Sequence, residues 1–96
     1  MFRIYELDLI INDIHFNEIW IDPHYENKHG NYMNDDLILK LLLHLNGKEI
    51  HHVAESSGFR YFETDIEHTK KVYRLILVIP NDECYLGIRN AYRRSK

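Results

Sequence analysis

Two histidines and a lysine lie close together in the segment DPHYENKHG, which spans residues 22–30. An imidazole titrates close to neutral pH, so His24 and His29 could each act as a general acid or base. Lys28 adds a positive charge beside them. The alternative is a polar loop without chemistry, because the proline and the glycine of this segment are typical of a joint between a strand and a helix.

A second candidate group lies in CYLGIRNAYR, which is predicted to be the last strand. Strict alternation along a strand places Arg89 and Arg93 on one face, with Gly87 and Ala91 between them and Tyr85 beyond. Such a face could hold a phosphodiester backbone, since arginine offers forked donors and tyrosine can stack on a base. The alternative is an exposed sheet face whose arginines only contact water.

Other signatures of catalysis are missing from the sequence. The seven histidines show no spacing that is typical of a zinc site, and there is no H-E-x-x-H or C-x-x-C motif. Ser56 and Ser57 lie in a glycine-bounded turn without a nucleophile elbow, and the four glycines form no phosphate-binding loop. The sequence therefore predicts neither a metal site nor a cofactor.

The composition is that of an ordinary globular domain. The 96 residues are 45% hydrophobic and 28% charged, which predicts a single domain over residues 1–96. The apolar runs are too short for a membrane span, and the first residues lack the pattern of a signal peptide. The single cysteine, Cys84, cannot form an internal disulfide. We therefore expect a cytoplasmic protein without a membrane partner.

The net charge of −3 is distributed unevenly along the chain. Residues 1–57 contain four Lys and Arg against ten Asp and Glu, whereas residues 58–96 contain eight against five. A basic second half indicates an anionic partner such as RNA. The alternative is that the basic residues at the C-terminus are simply a solvated tail.

The elements that must position these residues begin with a β-hairpin. Apolar and polar residues alternate over residues 2–21, and Asn12 and Asp13 tolerate the left-handed backbone of a tight turn. The alternation changes phase near Asn17 and Glu18, which predicts a β-bulge there.

A helix and a set of strands follow. Asn34 is predicted to cap an amphipathic helix, and Gly47 follows the last turn of that helix. The segments FRYFETDIE, VYRLILVIP and CYLGIRNAYR then predict three antiparallel strands, after a short strand near residues 50–54. We expect the second of the three to be central, where Arg74 needs a partner. The predicted fold is α+β, with an N-terminal β-hairpin, one main helix, and a three- to four-stranded antiparallel meander on which the helix packs.

The segment HYENKH, the helix DDLILKLLLHLNG, the strand YRLILVI and the basic-aromatic GIRNAYRR follow one another over roughly residues 22–94. In this order they resemble the small RelE/ParE-like and BrnT-like toxins of bacterial type II toxin–antitoxin operons. The resemblance implies a RelE-like α+β domain. It also implies a metal-independent RNA endonuclease, whose partners are RNA and an inhibitory protein antitoxin.

The resemblance also implies roles for individual residues. His24 or His29 would be the base or acid, and Arg74 and Arg93 would stabilise charge on the phosphate. Tyr92 would stack on a base or assist proton transfer. Further contacts to RNA would come from a set of basic and aromatic side chains: Lys28, Arg60, Tyr85, Arg89 and Arg94.

A different class of function remains open at this point. The chain could be a non-catalytic accessory module that binds a protein through the face or the edge of its sheet. The two hypotheses differ in whether the histidines of residues 22–30 matter. They matter chemically only if the fold brings them beside Arg74, Tyr92 or Arg93.

Overall fold

A computed structural model describes residues 1–94 of the chain, so Lys96 of the basic C-terminus lies outside the described residues. The strands are β1 (Arg3–Ile11), β2 (Ile14–Ile21), β3 (His52–Ser56), β4 (Phe59–His68), β5 (Lys71–Pro80) and β6 (Leu86–Arg94). Between β2 and β3 lie a 3-10 turn (Pro23–Tyr25), α1 (Glu26–His29) and α2 (Asp35–Leu43). None of the helices in the described residues is long and apolar enough to cross a membrane.

The predicted fold class is wrong in its architecture. The chain forms one six-stranded mixed sheet in the order β1-β2-β6-β5-β4-β3, and its helices are short. The N-terminal hairpin belongs to this sheet, because Ile19–Ile21 of β2 pair in parallel with Leu86–Ile88 of β6. Hydrophobic alternation shows which face of a strand is buried but carries no information about which strands pair, so the sequence pattern could not reveal this ladder.

The hairpin itself has the predicted turn. Asn12 and Asp13 both adopt positive φ angles, of 56° and 63°, as a two-residue hairpin turn requires. The pairing of β1 with β2 is irregular where the sequence predicts a bulge. Glu6 faces Glu18 and the next paired residue is Leu9, so the extra residue lies on β1 rather than on β2.

The core lies between one face of the sheet and α2. Asn34 caps α2, with its side-chain oxygen accepting a hydrogen bond of 2.8 Å from the backbone N–H of Leu37. Ile38, Leu41 and Leu42 of α2 are fully buried against the inward side chains of the strands. Burying one such side chain contributes roughly 1.5–3 kcal/mol, so this small helix holds a large share of the stability.

A partly buried carboxylate joins the ends of this arrangement. Asp35, the first residue of α2, accepts hydrogen bonds from Arg3 Nε at 2.6 Å, Tyr5 Oη at 2.5 Å and Tyr25 Oη at 2.7 Å. Arg3 also donates to Glu26 of α1 at 2.7 Å. The network therefore ties β1, the 3-10 turn and α1 to the start of α2.

The network also sets the protonation of Asp35. Burial by itself raises the pKa of this carboxyl, but the hydrogen bonds from Arg3, Tyr5 and Tyr25 outweigh burial, and its pKa lies below the ordinary value. The pKa of Tyr25 is raised by burial and then by its bond to Asp35. The folded chain thus holds Asp35 charged and both tyrosines neutral at physiological pH.

Replacing Asp35 by alanine is expected to lower the free energy of unfolding by roughly 3 kcal/mol, because three donors lose their acceptor and the charge of Arg3 loses a close partner. Asp36→Ala is the matched control. Asp36 is in the same helical turn, but it is exposed and, among residues 1–94, its ion pair is with Lys40, so its loss should cost less than about 0.5 kcal/mol. Urea unfolding measures both, and equal costs would contradict the role of the network.

Acid should remove the contribution of Asp35 to the free energy of unfolding. Because the folded-state pKa of Asp35 is lowered, its stabilising effect is present above the unfolded-state pKa of about 3.9 and is lost as the pH falls towards the folded-state value. The difference in unfolding free energy between the wild type and Asp35→Asn should therefore be largest near pH 7 and shrink below about pH 4. A difference that stays constant from pH 7 to pH 3 would contradict this assignment.

Candidate active site

The segment 22–33 leaves β2 and runs beside the second half of β6. The last parallel pair is Ile21 with Ile88, and the backbone N–H of Asp22 then donates to the carbonyl of Ile88 at 2.9 Å. The Asp22 side chain accepts from the backbone N–H of His24 at 3.0 Å, and Pro23 occupies the first position of the 3-10 turn. The chain therefore turns into helix where a strand would otherwise continue along β6.

This turn brings His29 to the C-terminal half of β6. His29 Nδ1 lies 2.9 Å from the hydroxyl of Tyr32, and that hydroxyl accepts a hydrogen bond of 3.1 Å from the backbone N–H of Arg93. The ring of His29 lies 5.3 Å from the ring of Tyr92, measured between centroids. The structure thus brings His29 together with two of the residues that matter for the hypothesis.

The hydroxyl of Tyr32 suits both protonation states of His29. When the ring is neutral with its proton on Nε2, the hydroxyl donates to Nδ1. When the ring is protonated, Nδ1 donates to the hydroxyl oxygen instead. A group that takes up and releases a proton needs a partner that tolerates both states, and Tyr32 provides one.

Positive charge is available beside this histidine. The guanidinium carbon of Arg93 lies 4.5 Å from the centroid of the Tyr32 ring, which is a cation–π contact. Among the described residues, no acidic side chain forms an ion pair with Arg93 or with Lys28. Both side chains are exposed, so their charges can be used by a ligand.

His24, Lys28 and His29 share one depression. It has a volume of about 210 Å³ and is lined by His24, Tyr25, Asn27, Lys28, His29 and Asn90. His24 Nδ1 lies 3.5 Å from Asp22 Oδ1, so a carboxylate holds this second imidazole. The structure therefore brings three of the predicted side chains from one short segment to a common concave surface.

Arg74 and Arg94 are engaged elsewhere. Arg74 Nε donates to Asp65 at 2.8 Å and its guanidinium lies 3.5 Å from Glu63, while Arg94 donates to Asp65 at 2.7 Å. The pKa of Arg74 is raised by its bond to Asp65 and, despite the opposing effect of burial, by Tyr92 as well. Arg74 thus has the partner that its place in a central strand requires, and it lies directly opposite Tyr92 in the pairing of β5 with β6.

The other predicted RNA contacts lie apart from this depression. Arg60 lies on β4, where it pairs with Ile79 of β5. Tyr85 stacks on Trp20, and Arg89 reaches towards Asp22, with Nε 3.9 Å from its carboxylate, and donates to Tyr61 at 3.4 Å.

The predicted common face of Arg89 and Arg93 is wrong. The register of β6 against β5 shifts between Ile76 and Leu77, so strict alternation fails between the two arginines. Ala91, which was predicted to lie on their face, is fully buried in the core. A bulge in one strand changes which side chains are neighbours, and only the paired strand reveals it.

Four residues of the depression and its surroundings are not indicated as site residues by the sequence: Tyr25, Asn27, Tyr32 and Asn90. Tyr32 follows His29 by three positions, a spacing at which helical side chains meet, so it could have been found. Asn90 carries no such local signal, because its place follows from the pairing of β6.

Comparison with known proteins gives no match: no family model fits the chain, and no curated protein or solved structure is significantly similar to it.

Replacing Tyr32 by phenylalanine is expected to accelerate amide hydrogen exchange at Arg93, because its N–H loses its acceptor. A lost hydrogen bond of about 1.4 kcal/mol corresponds to roughly tenfold faster exchange. NMR exchange measurements test this, and the same substitution should shift the ring signals of His29. Tyr61→Phe is the control, since its hydroxyl contacts Arg89 instead. Unchanged exchange at Arg93 in Tyr32→Phe would show that the bond contributes nothing.

Proposed function

We propose that the chain is a metal-independent ribonuclease that acts on single-stranded RNA. The proposal rests on the contacts of His29. Its ring lies against the ring of Tyr92, and its Nδ1 lies within hydrogen-bond distance of the Tyr32 hydroxyl, which also accepts from the backbone N–H of Arg93. A histidine held by a hydroxyl, beside cations that form no ion pair within the described residues, is an arrangement that phosphodiester cleavage can use.

The reaction is an internal transfer. His29 takes the proton of the 2′-hydroxyl, and the 2′-oxygen forms a bond to the adjacent phosphorus while the bond to the 5′-oxygen breaks. An acid then protonates the leaving 5′-oxygen, and His24 is the candidate because it lines the same depression. The products are a 2′,3′-cyclic phosphate and a 5′-hydroxyl.

The cations divide into two groups in this proposal. Lys28 and Arg93 stabilise the negative charge that develops on the phosphate, because neither is paired with an acidic side chain in the described part of the chain. Arg74 is held by Asp65 and Glu63, so we assign it to fixing Tyr92 and not to the phosphate. Tyr92 offers its ring for stacking on a base next to the cleaved bond.

The order of sequence segments that resembles type II toxins adds two further parts to the proposal. The enzyme would act in the cytoplasm on cellular RNA, and a protein antitoxin would neutralise it. Production of the active chain would then arrest bacterial growth. The alternative, a non-catalytic module that binds a protein through its sheet, requires no cleavage.

His29→Ala is expected to lower the rate of RNA cleavage at least 100-fold, because a general base typically contributes 10²–10⁴ in rate. Arg93→Ala should lower it by a similar order through lost charge stabilisation. The assay uses a labelled single-stranded RNA in buffer with EDTA, and mass spectrometry identifies the cyclic phosphate.

His15→Ala is the matched control, because His15 is exposed and pairs with Asp8 on the N-terminal hairpin. It should cleave like the wild type, and circular dichroism should show that all three variants are folded. Wild-type protein that leaves RNA intact and does not slow growth would overturn the proposal. Full activity in His29→Ala would overturn the site.

A further inference from the structure

The face of the sheet opposite α2 carries an apolar row that crosses five strands. Ile4 of β1 pairs with Trp20 of β2, which pairs with Gly87 of β6. Gly87 then pairs with Val78 of β5, and Val78 with Tyr61 of β4. Ile4, at the β1 end of this row, is 53% exposed, whereas Val78 in the middle is 5% exposed, so the open part of the row lies towards β1 and β2.

Aromatic rings concentrate along this row. The rings of Trp20 and Tyr85 stack with centroids 4.1 Å apart, and the ring of Phe2 lies 5.9 Å from Trp20. Gly87 allows close packing within the row, because a Cβ atom there would lie 2.6 Å from Val78 Cγ2. We name the following side chains the aromatic face: Phe2, Trp20, Phe59, Tyr61 and Tyr85. A recess of about 130 Å³ lies between Phe2 and Phe59.

The aromatic face has an acidic rim. Glu6 and Glu18 are direct partners across β1 and β2, and a recess of about 590 Å³ is lined by both of them and by Asp8. Within residues 1–94, neither Glu6 nor Glu18 forms an ion pair with a basic side chain. Like charges directly opposite one another destabilise a sheet, so a cation bound between them would relieve a cost already present in the free chain.

Negative charge also lies on the other side of the stack. The pKa of Tyr85 is raised by partial burial and then by the charges of Glu83 and Asp82. Among the described residues that line the two recesses, Arg89 is the single Lys or Arg. Its guanidinium lies near the carboxylate of Asp22, which offsets part of its positive charge. The charge around the aromatic face is therefore predominantly negative.

These charges decide which kind of partner the face fits. RNA carries a negative charge on every phosphate, so the rim repels it although the rings could stack on bases. A second copy of the chain would place one acidic rim against another. A positively charged polypeptide meets no such repulsion, and lysine and arginine are also attracted to the faces of tryptophan and tyrosine.

We propose that the aromatic face with its acidic rim binds a cationic segment of a partner protein. An apolar side chain of that segment enters the recess between Phe2 and Phe59, and its lysine or arginine side chains pair with Glu6 and Glu18. This surface involves the N-terminal end of β6, whereas the candidate active site involves the C-terminal half. The inference therefore does not depend on ribonuclease activity.

Trp20 is the only tryptophan of the chain, so its fluorescence reports directly on this face. The probe is a peptide that alternates lysine and leucine, and its twin alternates glutamate and leucine. The first should quench or shift the Trp20 emission with saturation, and the twin should bind at least tenfold more weakly. The double variant Glu6→Gln/Glu18→Gln should weaken binding of the lysine peptide at least fivefold.

The matched control is Glu55→Gln/Glu67→Gln, which removes two exposed charges from β3 and β4 and should change the affinity less than twofold. Equal binding of the two peptides, or an unchanged affinity in Glu6→Gln/Glu18→Gln, would overturn the proposal. A single-stranded RNA that changes the Trp20 emission as strongly as the lysine peptide does would identify the face as a nucleic-acid surface and would also overturn it.

Discussion

The parallel pairing of Ile19–Ile21 with Leu86–Ile88 joins the N-terminal hairpin to the rest of the sheet, and the place of nearly every other feature follows from it. It is only three residues long, but it sets β6 between β2 and β5. β2 stops pairing at Ile21, and the next residues continue beside β6 as helical turns. The candidate active site and the aromatic face both depend on this ladder. The candidate active site lies just beyond the end of the ladder, and the aromatic face lies on the side of the sheet opposite α2.

The Asp35 network also helps to hold the segment between β2 and α2 in place. Tyr25 belongs to the 3-10 turn that precedes α1, and its hydroxyl is bonded to the first residue of α2. The residues between these two points include Lys28 and His29, so both ends of the segment that carries them are fixed. A carboxylate that is held by three donors can hold a turn in place because moving any one element leaves a polar group unsatisfied.

Local signals in the sequence predicted local structure well. The hairpin turn at Asn12 and Asp13, the cap at Asn34 and the segments that become β4 and β5 all depend on residues close together in the chain, and the structure has them. The need of Arg74 for a partner was also evident, although the partner, Asp65, follows only from the register of β4.

The errors arose where distant parts of the chain meet. No periodicity in the sequence indicates that β2 pairs with β6. The predicted architecture is therefore wrong, because it leaves the hairpin outside the main sheet. The bulge in β6 likewise depends on β5, and it separated two arginines that strict alternation had placed together. His29 and Tyr92 were both named from the sequence, but their contact is a property of the ladder and could not be derived from either segment alone.

The same ladder has a consequence for how the chain folds. Ile19 and Leu86 are 67 positions apart, and parallel pairing over such a separation forms slowly because a long loop must close before the contact stabilises anything. During synthesis the segment with His29 leaves the ribosome long before β6 does. A nascent chain therefore has the histidines without Tyr92 and Arg93, and the complete constellation exists only after the late strand has docked.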